Sequence, residues 1–129
     1  MADLDLNSQP LSPEALQALL AKRLPVRDAV LVNGDYSGVD LTHARFERVD
    51  ARGAKFSGAK LDGSTWQQCQ LDGADLSGCQ VRNLNLSDCS LDRLNLKGAS
   101  LTGGRVLRCK GAGMDFTQAQ LSSLSIGDS

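Results

Sequence analysis

The amino-acid sequence predicts an all-β solenoid closed at its N-terminal end by an α-helical cap. Three observations point there: an apolar period of five residues, a glycine column in the same register, and one short helical segment ahead of the repeat. The chain has 129 residues, 41% hydrophobic and 22% charged, which fits one folded unit rather than a disordered chain. Lysine plus arginine number 14 and acidic residues 15, so a strongly basic nucleic-acid binder is not the default reading. No apolar run approaches the roughly 20 residues of a membrane span. The opening MADLDLNSQP lacks the layout of a signal peptide, so the expected location is the cytoplasm.

The segments follow in order. Residues 1–11 read as a tail or an edge segment; Ala2-Asp3-Leu4 mimics one repeat unit but stands alone. Residues 12–25 read as the cap. Ser12 is a good N-cap, Pro13 suits the first helical position, and Pro25 stops the pattern. Leu16, Leu19 and Leu20 share one face of a helix expected over residues 13–24, placed to cover the first repeat units.

Residues 26–129 carry the repeat. Every fifth position from Leu31 to Ile126 gives 20 positions, of which 18 are large and apolar; Ala51 and Gly111 are the exceptions. Neither a helix nor a flat strand has that period. Two residues before each large one stands a mostly small residue, such as Ala29, Ala54, Cys69, Ala74 or Ala99. Two residues after it stands glycine at 38, 53, 58, 63, 73, 78, 98, 103 and 113, nine of the 13 in the chain. Glycine suits the third residue of a type II turn, where φ is positive. Each unit is therefore a short extended piece ending in a corner, with two residues pointing in and three out.

Ala74-Asp75-Leu76-Ser77-Gly78 carries the full pattern of small residue, Asp or Asn, Leu or Phe, then two polar residues. Ala59-Lys60-Leu61-Asp62-Gly63 and Ala99-Ser100-Leu101-Thr102-Gly103 come close. On these units the chain resembles the pentapeptide-repeat family over about four fifths of its length. The resemblance implies a right-handed quadrilateral β-helix of about five coils, with four units per coil, so that residues 20 apart stack. Such a rod would be roughly 24 Å long at the usual strand spacing. Leu84, Leu94 and Met114 are large for the small column. In the stack, Ala51 falls beside the larger Val49 and Gly111 beside Cys109, and a void or bulge is expected at Gly111.

Candidate chemistry is sparse. Cys69, Cys79, Cys89 and Cys109 all fall in the inward small column and read as core residues. Rungs about 4.8 Å apart exceed ordinary disulfide Cβ spacing, and a straight ladder is a poor zinc tetrahedron. His43, the single histidine, falls on an outward corner away from every cysteine. No catalytic residue, cofactor or metal site is expected, and the chain reads as a non-enzyme.

The expected function is a non-catalytic protein–protein interaction or scaffold module. After Ile126 only Gly127-Asp128-Ser129 remains, so the last coil has no evident cap. Met114, Phe116, Leu121, Leu124 and Ile126 form the candidate interface, the simplest occupant being a second copy. A weaker candidate patch on one face holds Arg45, Arg48, Arg105, Leu107 and Arg108. The partner is a protein of unknown identity, with no direct nucleic acid and no membrane. The alternative implied by the resemblance is a DNA mimic acting on DNA gyrase or topoisomerase, as in quinolone resistance. That needs an extended negative field. From Val26 onward there are 12 basic and 12 acidic residues, a net charge of zero.

Overall fold

A computed structural model describes residues 11–122 and the backbone of 125–127. One helix, α1 (Pro13–Ala21), precedes nine short strands: β1 (Val26–Arg27), β2 (Arg45–Glu47), β3 (Thr65–Gln67), β4 (Gln80–Arg82), β5 (Asn85–Ser87), β6 (Ser100–Thr102), β7 (Arg105–Leu107), β8 (Gln120–Ser122) and β9 (Ser125–Gly127). Every pairing is parallel and joins residues 20 apart, as in Phe46↔Trp66↔Leu86↔Val106↔Ile126. One face holds β1-β2-β3-β5-β7-β9 and another β4-β6-β8. Single bridges carry the remaining two faces, Val30↔Asp50↔Gln70↔Ser90↔Lys110 and Asp35↔Lys55↔Asp75↔Asn95↔Asp115. The result is a four-sided β-helix of about five coils.

Corners make the square. The corner residue of every unit has positive φ, from Arg23 through Gln118, and eleven of these residues are not glycine. Where a tight turn closes, the large residue's carbonyl accepts from the N–H three residues on, as in Gly34 to Leu31 and Ala59 to Phe56. Only the third turn residue has positive φ, the signature of type II. Asp28, Arg48, Gln68, Asn83, Asp88 and Arg108 instead follow strands, where no such bond closes the corner. Glycine thus marks the tight turns more than the corners in general, a distinction that the glycine column alone does not reveal.

The second position of the repeat has its own role. Asp35, Asp40, Asp50, Asp75, Asn95 and Asp115 each accept from the backbone N–H two residues on, at 2.9–3.3 Å. These short polar side chains hold the turn's first N–H groups, as Asx turns do.

The core is a stack of inward columns. Leu31, Leu41, Ala51, Ala54, Phe56, Leu61 and Ala74 are fully buried. The oversized Leu84 and Leu94 of the small column are buried too. Phe46 and Trp66 stack at 3.9 Å, Tyr36 and Phe56 at 5.6 Å, and Phe56 meets Trp66 edge-on at 5.6 Å. Ser64 sits in the small column because its hydroxyl accepts from the Trp66 indole at 3.2 Å. All four cysteines are free and buried.

The helix starts as expected, with the Ser12 hydroxyl accepting from Ala15 N–H at 3.0 Å. It ends at Ala21, three residues early, because Arg23 turns left-handed and donates its N–H to the Leu20 carbonyl. Leu16 is fully buried and Leu20 packs partly against the core, but Leu19 is 37% exposed. The cap therefore rests on Leu16. Leu11 extends the ladder past the helix: its N–H donates to Val30, just as Leu31 donates to Asp50. The Tyr36 hydroxyl donates to the Leu11 carbonyl at 2.6 Å. Residues 1–10, and with them the Ala2-Asp3-Leu4 unit, lie outside the described residues.

Two predictions follow from these contacts. Gly104 has φ +90°, and a Cβ there would strike the Leu84 carbonyl oxygen and stand 2.8 Å from its nitrogen; Gly58 has φ +70° and open space. Gly104→Ala should cost about 3 kcal/mol or more, and Gly58→Ala only about 1–2 kcal/mol, in urea denaturation. Equal losses would place the cost in φ alone. Burial pushes Tyr36, the single tyrosine, from 10.0 up to about 12. The unfolded chain releases this proton near pH 10 and the native state near 12. Stability from this group is therefore complete below pH 10 and is lost as the pH rises through 12. Absorbance at 295 nm should titrate near 12 when native and near 10 in denaturant.

Candidate functional site

The candidate site grows from the way the repeat weakens toward its end. Leu31 and Leu71, each set by the five-residue register, are wholly or nearly wholly buried, and Leu91 likewise. At Gly111 that column loses its side chain. A cavity of about 190 Å³ opens beside it, lined by Leu84, Leu94, Leu101, Gly111, Met114 and Phe116 among others. The void expected at Gly111 itself is filled: Met114 occupies the space that a side chain there would take, its thioether standing 2.5 Å from where a Gly111 Cβ would be. Phe116 and Leu121 are each 45% exposed, although both belong to the inward column. The structure brings Met114, Phe116 and Leu121 together around this mouth. The Leu124 and Ile126 side chains lie outside the described residues; Ile126 is placed only by its backbone pairing with Val106.

The arginine patch is divided by ion pairs. Arg48 grips Asp28 through two bonds of 2.8 and 3.2 Å, and Arg108 grips Asp88 through two of 2.9 and 3.1 Å. These guanidinium hydrogen bonds hold both carboxyls below their usual range. Arg45 and Arg105 share one column, separated by Thr65 and Asn85. That is three rungs, roughly 14 Å. Leu107 is half-buried. The residues share a face but do not converge. Sequence reading missed the two carboxylate partners, although Asp28 and Asp88 stand 20 residues before their arginines.

The cysteine thiols point at backbone. Cys79 donates to the Phe56 carbonyl at 3.0 Å and Cys89 to that of Trp66 at 3.3 Å. Burial pushes the Cys79 and Cys109 thiols up, and contact with Cys69 together with burial does the same for Cys89. Raised thiols are poor nucleophiles. His43 sits on an exposed corner, as its register implies. Among the described residues no cluster of His, Cys, Asp and Glu has the makings of a metal site. Among them, too, no helix is long and apolar enough to cross a membrane.

A stacked five-residue unit on four faces defines the class, a quadrilateral β-helix. The family model described as a pentapeptide repeat region matches residues 27–96, and the chain belongs to that family. Among solved structures it is similar to a pentapeptide repeat protein, Rfr23, from the cyanobacterium Cyanothece 51142. Identity is 22% over 76% of this chain and 60% of that one, with a TM-score of 0.55. It is also similar to full-length QnrB1, a plasmid-mediated fluoroquinolone resistance protein: identity is 18% over 78% of this chain and 62% of that one, with a TM-score of 0.57. The chain thus spans less than two thirds of either structure. No curated protein sequence matches it.

The mouth makes its own prediction. Gly111 has ordinary φ, and its crowding neighbour is the flexible end of Met114. Gly111→Ala should displace that thioether and raise stability by about 0.5–1 kcal/mol in thermal melts. A loss would mean that the thioether cannot move.

Proposed function

We propose that the chain is a non-catalytic interaction module whose apolar mouth docks a second copy of itself. The observation that carries this reading is the exposure of Phe116 and Leu121 around an apolar cavity of about 190 Å³. Solenoid ends need a polar cap or a partner. A two-fold pairing of one surface is the commonest way for a chain to cover itself. Buried thiols bonded to carbonyls and a histidine on an outer corner support the non-catalytic part. The DNA-mimic alternative is less favoured. Asp28, Asp50 and Asp88 are each held by an arginine, which breaks up the negative field that such mimicry needs.

Light scattering on a sizing column tests the pairing. The expected outcome is a dimer over a hundredfold range of concentration, with Phe116→Glu and Leu121→Glu eluting as monomers. Both variants should keep their far-ultraviolet circular dichroism, since these side chains are already half exposed. A monomer at all concentrations would sink self-pairing. Protection or inhibition of gyrase in a supercoiling assay at micromolar protein would favour mimicry instead.

A further inference from the structure

At the opposite end of the rod, the close of α1 and the first coil border an open notch of about 460 Å³. It is lined by Leu20, Arg23, Leu24, Thr42, His43 and Arg45. Its walls are fixed by backbone. Arg23 ends the helix in a left-handed conformation, its N–H on the Leu20 carbonyl at 2.9 Å. His43 is a corner residue whose N–H donates to Asp62 at 2.8 Å. Its ring lies against Gly63, where a Cβ would stand 2.5 Å from Nδ1. Arg45 opens β2.

The charges in the notch are unbalanced. Arg27, Arg48, Arg52 and Arg108 each hold a carboxylate. Arg23 and Arg45 hold none among the described residues. The acids around that corner are engaged elsewhere: Asp40 accepts from the Thr42 N–H at 3.0 Å, Glu47 from Arg27 at 3.0 Å and Asp62 from the Arg82 N–H at 2.9 Å. Beside the two guanidiniums lies an apolar wall. Leu24 is 57% exposed, the most exposed large apolar side chain among the described residues, and Leu20 packs partly on the core.

We propose that this notch binds a carboxylate carried on an apolar body, the head between Arg23 and Arg45 and the body along Leu20 and Leu24. A guanidinium fork matches a flat carboxylate with two parallel hydrogen bonds. The volume lies within the range of about 300–1,000 Å³ typical of small-molecule sites. An inorganic anion would leave the leucines bare, and a neutral hydrocarbon would leave both arginines without an acceptor. The site shares no residue with the C-terminal mouth, so it stands or falls independently of self-pairing.

Amide-resolved NMR titration with octanoate tests it, with octanol and acetate as controls. Octanoate should saturate one site, with shifts confined to residues 20–24 and 42–45. Its affinity should exceed that for either control at least tenfold. Arg23→Gln and Arg45→Gln should each weaken it at least fivefold while leaving the emission of the buried Trp66 unchanged. Octanol binding as tightly as octanoate would overturn the proposal. So would variants that bind like the parent, shifts centred on the Leu84–Leu121 mouth, or no saturation at millimolar octanoate.

Discussion

The structure depends on a left-handed residue at every fifth position. Each such residue turns the chain by a side of the square, and the run from Arg23 through Gln118 has no gap. For residues other than glycine this conformation costs about 1–2 kcal/mol each. Some of that cost is offset by neighbours one coil away. Asp28 and Arg48 are both corner residues in one column, and they pair; Asp88 and Arg108 repeat the arrangement three coils on. Elsewhere a side-chain corner stacks on a glycine corner: Asn33 on Gly53, His43 on Gly63, Asn83 on Gly103. A strained residue therefore tends to face either an opposite charge or an empty position.

The same economy shapes the surface. Aspartates in the second repeat position face outward, yet they are engaged with the N–H two residues on. Asp72 accepts both the Ser90 hydroxyl at 2.6 Å and the Asp92 N–H at 2.9 Å, tying one coil to the next. Carboxylates in this rod serve its own backbone and arginines. The repeat region is neutral because its 12 basic residues match its 12 acidic ones, and the arginine-held carboxylates set opposite charges side by side, which weakens any long-range field.

The five-residue columns made the inward residues legible, because a strict period fixes direction as well as spacing. The oversized Leu84 and Leu94 obey the register despite their volume, and the deficit at Gly111 is taken up by the oversized Met114 of the small column. What sequence reasoning missed depends on contacts between coils. Arg48 and Arg108 are paired with aspartates 20 residues earlier, one coil beneath them, and a linear sequence does not display that neighbour. Pro25 marks a helix end at residue 24 in the sequence, but Arg23 already turns left-handed and α1 stops at Ala21. The notch beside α1 follows from that early turn. The 20-residue stack sets Arg23 beside His43, both of them left-handed corner residues, but a helix read through residue 24 hides that register.

Packing quality is uneven along the rod, and this bears on how the ends behave. Tyr36, Phe46, Phe56 and Trp66 fill the first coils with interlocking rings, and Leu16 closes them off from above. The later coils are filled by leucines around a cavity, and Phe116 borders it with Met114 and Leu121. In a solenoid each coil is stabilised mainly by its nearest neighbours, so a terminal coil has lost one of two interfaces. At the N-terminal end α1 and Leu11 replace the missing neighbour, through Leu16 and the bond to Val30. At the mouth nothing among the described residues does so. An apolar surface that filled the cavity would act there as a neighbouring coil does. Its binding energy would then also be stability of the last coils, because docking and local folding would draw on the same buried area.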